Sequence, residues 1–404
     1  MRVEALPGET QAAERLKQTA LRDFGVVAAD DTHDPRWDGF PSYRMAIDPD
    51  DAPVPFLLKY ALNLVGCPAY GPGEKVAWWV NFTYRGERCS LAFQKFGLRL
   101  YLRTERPEEE ALETQKQITK QLRSSMRTIE RLIVTAAPDL LGKGAATVRN
   151  QHASLRRAYD YFRERAEQPV HIEDVDESGE SPGGGTWRTF RSGQTEMQLN
   201  SFHDMVAAIS AFLSLLEHDL VLALAFADFD PDEDDLTEMI GSRWGEKWDR
   251  IFGKEGDAGR YWQRLFDVVE RWRNPYSHGG FEKGHGATIY LHTPGVNAAV
   301  PIGLTRVRES PIFSFIPAGE TDISEVFALF DEIEAFLGKE HPEAVAWIGS
   351  GLDVRYDEDF RLELAHALQH DRFEQMLETH EYQHDIHVNM DFALPGLLQA
   401  LGLD

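Results

Sequence analysis

The chain has 404 residues, 42% hydrophobic and 27% charged, which is the profile of a soluble globular protein with room for two or three cores. A formal net charge of −25 excludes a protein that coats nucleic acid non-specifically. Cys67 and Cys89 are the sole cysteines, so a disulfide framework is excluded and a reducing cytoplasm suits the chain. No apolar run occupies the first twenty residues, and no secretory leader is expected. The most apolar stretch, 206–229, is interrupted by Glu217-His218-Asp219, which argues against a membrane span.

In chain order, residues 1–110 read as a mixed α/β domain. A short helix is expected over 9–24, followed by a Pro- and Asp-rich loop over 30–55 and a short apolar segment over 56–64. Val76, Trp78, Val80, Phe82 and Tyr84 alternate strictly, which predicts a strand over 75–84. Strands over 88–96 and 98–103 complete a meander that turns at Arg85-Gly86-Glu87. This part holds no catalytic constellation and suits a sensor, or a docking module for a trigger or regulatory partner.

Residues 111–170 read as a basic helical hairpin, joined near 138–144. Lys116, Lys120, Arg123, Arg127 and Arg131 recur every three or four positions and share one helical face, away from Ile118, Leu122, Ile129 and Ile133. Between 114 and 165 there are eleven Lys/Arg against four Asp/Glu, so an acidic chain still offers a polyanion a local docking face. The run at 228–235, by contrast, has six acids in eight residues. Residues 171–193 read as a linker, since Ser181-Pro182-Gly183-Gly184-Gly185 and the acids before it cannot pack a core.

A second domain is expected over 194–340. Its long helix, 202–226, carries Ile209, Phe212, Leu213, Leu216, Leu220 and Leu224, and further helices are expected over 236–252 and 257–272. A hairpin over 287–291 and 300–304 and a strand over 312–316 follow, then an amphipathic helix over 322–337 that would close a four-helix bundle. Arg273-Asn274-Pro275-Tyr276-Ser277-His278 joins the third helix to the hairpin. Pro275 predicts a helix end at about Arg273 with Asn274 as the next cap, and two glycines follow. On a continuous helix Arg273 and His278 would sit roughly 140° apart. A break lets both face one cleft, where a fixed cation and a titratable imidazole suit chemistry on a phosphodiester.

The R-N-x-x-x-H run resembles the R-x(4–6)-H signature of the HEPN superfamily, and Ser214-Leu215-Leu216-Glu217 is similar to the first core helix of many of its members. The resemblance spans about residues 198–340. It implies a helical bundle and a metal-independent endoribonuclease, often a toxin or an anti-phage abortive-infection effector. His278 would act as general acid or base and Arg273 would stabilise the phosphorane, with Asn274 as the polar neighbour and Glu217 orienting Arg273 or tuning His278. Tyr276 and Ser277 would position phosphate, alongside the stripe from Lys116 to Arg131. A homodimer bringing two motifs to one cleft is implied, with no cofactor. A module that binds RNA or a nucleotide without cleaving it is the alternative.

Residues 341–404 read as a His-rich helical extension. There His380-Glu381-Tyr382-Gln383-His384 fits H-E-x-x-H, the zinc-protease pattern. Glu378 and Asp385 are charged where uncharged residues are usual, and the downstream third ligand is missing unless His387 or Asp391 replaces it, so a zinc metalloprotease is the lesser alternative. The expected class is therefore α+β and predominantly helical, with a mixed α/β domain ahead of the bundle.

Overall fold

The computed structural model describes residues 5–27, 39–277, 288–292, 294–295, 299–303 and 318–390. It is α+β with helix predominating, and it divides into two compact units, Met1–Leu141 with Glu374–Asp404, and Gly142–Phe373.

In the first unit, α1 (Glu9–Gln18), β1 (Phe24–Val26), β2 (Ser42–Ala46), α2 (Pro55–Leu64), β3 (Ala69–Tyr70), β4 (Val76–Tyr84), β5 (Glu87–Gln94), β6 (Gly97–Arg103) and α3 (Glu108–Gly142) follow in order. The antiparallel sheet runs β1-β4-β5-β6-β2, and β3 shares an edge of β4 with β1. The alternation along β4 buries Trp78, Val80, Phe82 and Tyr84. Arg85 and Gly86, both at positive φ (49° and 85°), make the two-residue turn into β5, which pairs Tyr84 with Glu87. The loop expected over 30–55 contains β2, because Tyr43 and Met45 pair with β6 and pack on the core. Ile118, Leu122, Met126 and Ile129 of α3 close that core.

The expected hairpin over 111–170 is not one body. α3 runs unbroken through Pro138 and belongs to the first unit, while its expected partner, α4 (His152–Glu167), belongs to the second. Pro138 stands in the last turns, where loss of one backbone bond is tolerated.

The second unit contains β7 (Thr147–Val148), α4, β8 (Val175–Glu180), β9 (Thr186–Arg191), α5 (Gly193–Ala223), a 3₁₀ turn (Leu224–Phe226), α6 (Leu236–Gly241), α7 (Trp244–Phe252) and α8 (Gly256–Val268). A π turn (Val269–Arg273) leads into α9 (Asn274–Ser277), β10 (Thr288–His292), β11 (Ala299–Gly303), α10 (Glu320–Glu340), α11 (Pro342–Ser350), β12 (Val354–Arg355) and α12 (Glu358–Gln369). α13 (Phe373–Asn389) crosses back to the first unit. The expected linker over 171–193 is instead a β ribbon, β8 paired with β9 from Val175↔Arg191 to Glu180↔Thr186. It packs no core, since β9 is exposed along its whole length. The strand expected over 312–316 lies outside the described residues.

α5 is the axis of this unit and packs against α4, α7, α10, α11 and the π turn. It is long and apolar enough to cross a membrane by length and composition, yet 61% of its most apolar stretch is buried within the protein, as a core helix requires. The bundle therefore reaches back to α4, outside the expected 194–340 span. Tyr159 of α4 packs on Phe212 of α5 and on Phe327 and Phe330 of α10.

Carboxylates on α10 fasten it to both neighbours. Asp331 and Glu334 meet Arg163 and Arg156 of α4, and Glu332 meets Arg264 of α8. The Arg163 guanidinium holds Asp331 below the usual carboxylate range. At the start of α10, Asp322 accepts from Arg271 Nη2 at 2.8 Å and from the Gly319 amide at 3.0 Å. The Arg271 and Asp322 side chains are only 10% and 11% exposed, and the guanidinium lies 4.0 Å from the centre of the Trp272 ring.

Asp322 ties the nearly dry Arg271 guanidinium to the start of α10. Asp322→Ala is expected to lower unfolding stability by about 3–5 kcal/mol in urea melts, whereas replacing both residues by apolar ones costs far less. Equal losses in the two variants would contradict this.

At the α4–α5 contact the Gln151 amide donates to His218 Nε2 at 2.9 Å, and burial holds the His218 imidazole below its ordinary pKa. The unfolded chain then binds the proton more readily, so stability is full above about pH 6.5 and is lost as pH falls below it. His218→Gln keeps an acceptor but does not titrate. Its melting temperature is expected to fall less between about pH 7.5 and 5.5 than that of the native chain, and parallel curves would refute the assignment.

Candidate functional site

Pro275 has no amide hydrogen, and in an unbroken α-helix its ring would press on the carbonyl four residues earlier. The chain answers by widening. The Asn274 amide bonds to the Val269 carbonyl, five residues back, and the helix continues through Pro275 to Ser277. Asn274 has φ −63° and ψ −43°, fully helical, so the expected break at Arg273 with Asn274 as an extended cap does not occur. Wide turns of this kind are uncommon and are found often at functional sites.

The turn is pinned on its inner side by Arg271–Asp322 and by buried Val269 and Trp272. Phe202 of α5 packs against Trp272 at 6.2 Å and against Tyr276 at 4.9 Å between ring centres. Tyr276 remains 46% exposed. Arg273 is half-buried. Its Nη1 donates to Asn274 Oδ1 at 3.2 Å, and Asn274 Nδ2 donates to Glu270 Oε1 at 2.8 Å. Arg273 Nε is buried and makes no hydrogen bond among the described residues. Arg156, Arg163, Arg264 and Arg271 of this unit all face carboxylates, whereas the polar partner of Arg273 is a neutral amide. The guanidinium is thus oriented without being neutralised. Ser277 ends the turn, and His278 lies outside the described residues.

Glu217 does not join this group. Its Oε1 accepts from the Trp244 amide at 3.2 Å, at the start of α7, and its Oε2 lies 3.9 Å from Lys247 Nζ, whose side chain is buried. Fifteen residues of α5 separate it from Phe202, about 22 Å at 1.5 Å per residue. The carboxylate beside the Arg273–Asn274 pair is Glu270, which sequence reasoning missed. Its spacing four residues before Asn274, which puts two side chains on one helical face, was the available signal.

The basic stripe belongs to the other unit. Lys116, Lys120, Arg123, Arg127 and Arg131 are all exposed along α3, opposite buried Ile118, Leu122 and Ile129. Lys116 pairs with Glu113 and Arg123 with Asp51. On α13, His380 is half-buried while Glu381 and His384 are exposed. His387 Nδ1 lies 2.6 Å from the Gln383 carbonyl, and Asp391 is outside the described residues. Among the described residues no group of three His, Cys, Asp or Glu comes together to hold a metal. The His366 and His370 rings lie 4.4 Å apart between centres, tilted by 56°, as neighbours on α12 and its cap.

Comparison of the chain with protein-family models, curated proteins and solved structures finds no match.

Glu217 caps a helix and balances a buried lysine. Glu217→Ala is expected to lower stability by about 1–3 kcal/mol in urea unfolding. An unchanged midpoint would contradict that role.

Proposed function

We propose that the chain is a metal-independent endoribonuclease of the HEPN type, acting in the cytoplasm as a toxin or anti-phage abortive-infection effector. The observation that carries this reading is Arg273, a cation held in place by Asn274 on a π turn and left without a carboxylate partner among the described residues. A planar guanidinium presented in this way suits the non-bridging oxygens of a phosphodiester.

In the proposed reaction a ribose 2′-hydroxyl attacks the adjacent phosphorus in line. The bond to the 5′-oxygen of the next nucleotide breaks, leaving a 2′,3′-cyclic phosphate and a 5′-hydroxyl. His278 takes the proton from the attacking hydroxyl or gives one to the leaving oxygen, and Arg273 stabilises charge on the phosphorane. One imidazole cannot readily serve both sides of the phosphorus. Two copies of the motif in a homodimer would divide the tasks. Asn274, bonded to both Arg273 and Glu270, sets the guanidinium plane, and Tyr276 offers an exposed ring for a base to stack on. The exposed Lys116–Arg131 face is the proposed RNA-docking surface, and the N-terminal sheet domain is the proposed seat of a regulatory partner.

The test is cleavage of total RNA in EDTA by the native chain and by Arg273→Ala and His278→Ala. Both variants are expected to lose at least about 100-fold in rate with unchanged helical circular dichroism, and DNA is expected to stay intact. Full activity in either variant refutes the assignment. RNA binding without cleavage by the native chain would favour a non-catalytic binding module.

A further inference from the structure

α4, α5, α7, α10 and α11 enclose a cavity of about 240 Å³ that the ribonuclease proposal does not use. Its floor is apolar, with Phe212, Leu216 and Leu220 from α5, Phe252 from α7, Leu337 from α10 and Ile348 from α11. One wall is polar. His152 and Arg156 of α4, Asp219 of α5, Glu334 of α10 and His341 line it. Asp219 places its two oxygens 3.0 and 2.9 Å from His152 Nδ1, and Arg156 Nη2 lies 2.6 Å from Glu334 Oε1. The His152 and Asp219 side chains are 22% and 15% exposed, so this wall reaches solvent while the floor stays sheltered.

The charges on that wall do not cancel. Arg156 is answered by Glu334. Asp219 engages His152 through Nδ1, and two carboxylates, Asp219 and Glu334, stand against one permanent cation, Arg156. The wall therefore offers acceptors and a net negative charge to a ligand, beside aliphatic and aromatic surface. A carboxylate or phosphate head would meet Asp219 and would find Arg156 already engaged by Glu334. An ammonium would donate to the Asp219 lone pairs that His152 does not use. The volume equals that of about eight waters at ~30 Å³ each, enough for a chain of about six carbons with its head group.

We propose that this cavity is a binding site for a small primary alkylamine, with the hydrocarbon on the α5 floor and the ammonium against the Asp219 carboxylate.

Isothermal titration of the full chain with hexylamine and with hexanoate, at about pH 8 where the amine is charged, tests this. Hexylamine is expected to bind with a dissociation constant of about 1 mM or tighter, and hexanoate not to bind. Asp219→Asn keeps an acceptor for His152 and removes the charge, and it is expected to weaken hexylamine about tenfold. Gly349→Leu adds a side chain at the rim, where a Cβ meets open space on α11, and it is expected to block binding with the helix intact. No hexylamine binding, equal binding of hexanoate, or an affinity unchanged in both variants overturns the proposal. None of these readouts involves RNA, so the outcome is independent of the ribonuclease assignment.

Discussion

A single missing amide hydrogen shapes the region on which the functional reading rests. Pro275 cannot donate, and the helix that leads into it widens over Val269–Arg273 instead of stopping. Five consecutive side chains thereby divide between the core and a polar network. Val269 and Trp272 go to the core, Arg271 to a buried pair with Asp322, Glu270 to Asn274, and Arg273 to the same Asn274 from the other side. A regular helix end at Arg273 would leave its last carbonyls to solvent and free the turn from α10. The widened turn is instead part of the bundle wall.

Rigidity here comes mostly from α10. Its acids reach α4 on one side and α8 with the π turn on the other, and α5 packs against α4, α7 and the π turn. Exposed pairs of this sort contribute little one at a time. The Arg271–Asp322 pair differs because it is nearly dry, and a dry pair that is intact fixes geometry more than it adds stability. That distinction matters at a site where a guanidinium must be placed within about half an ångström to act on a phosphoryl group.

Several features were legible in the sequence for direct physical reasons. The two-residue period along 76–84 buries Trp78, Val80, Phe82 and Tyr84, and the Thr288–His292 and Ala299–Gly303 strands pair within a residue of the expected hairpin. The stripe on α3 is exposed because the i, i+3, i+4 rule that groups the basic residues also groups the apolar ones opposite. What was not legible required tertiary contacts. The preference of a residue before proline for extended backbone predicted a break at Asn274, and packing by Phe202, Trp272 and Asp322 overrode it. Glu217 looked free to reach Arg273, but position along a helix says nothing of which neighbour arrives first, and Trp244 with Lys247 take it. The ribbon at 175–191 has the composition of a linker, and main-chain pairing orders it without a core.

The most direct measurement of the central claim is the chemistry of the cut ends, read by mass spectrometry on a defined RNA incubated with the native chain in EDTA. Attack by the neighbouring hydroxyl requires 2′,3′-cyclic phosphate and 5′-hydroxyl termini, and a single 2′-deoxy substitution at the cleaved nucleotide should silence that position. Ends carrying 5′-phosphate, or undiminished cutting at the 2′-deoxy position, would contradict the account.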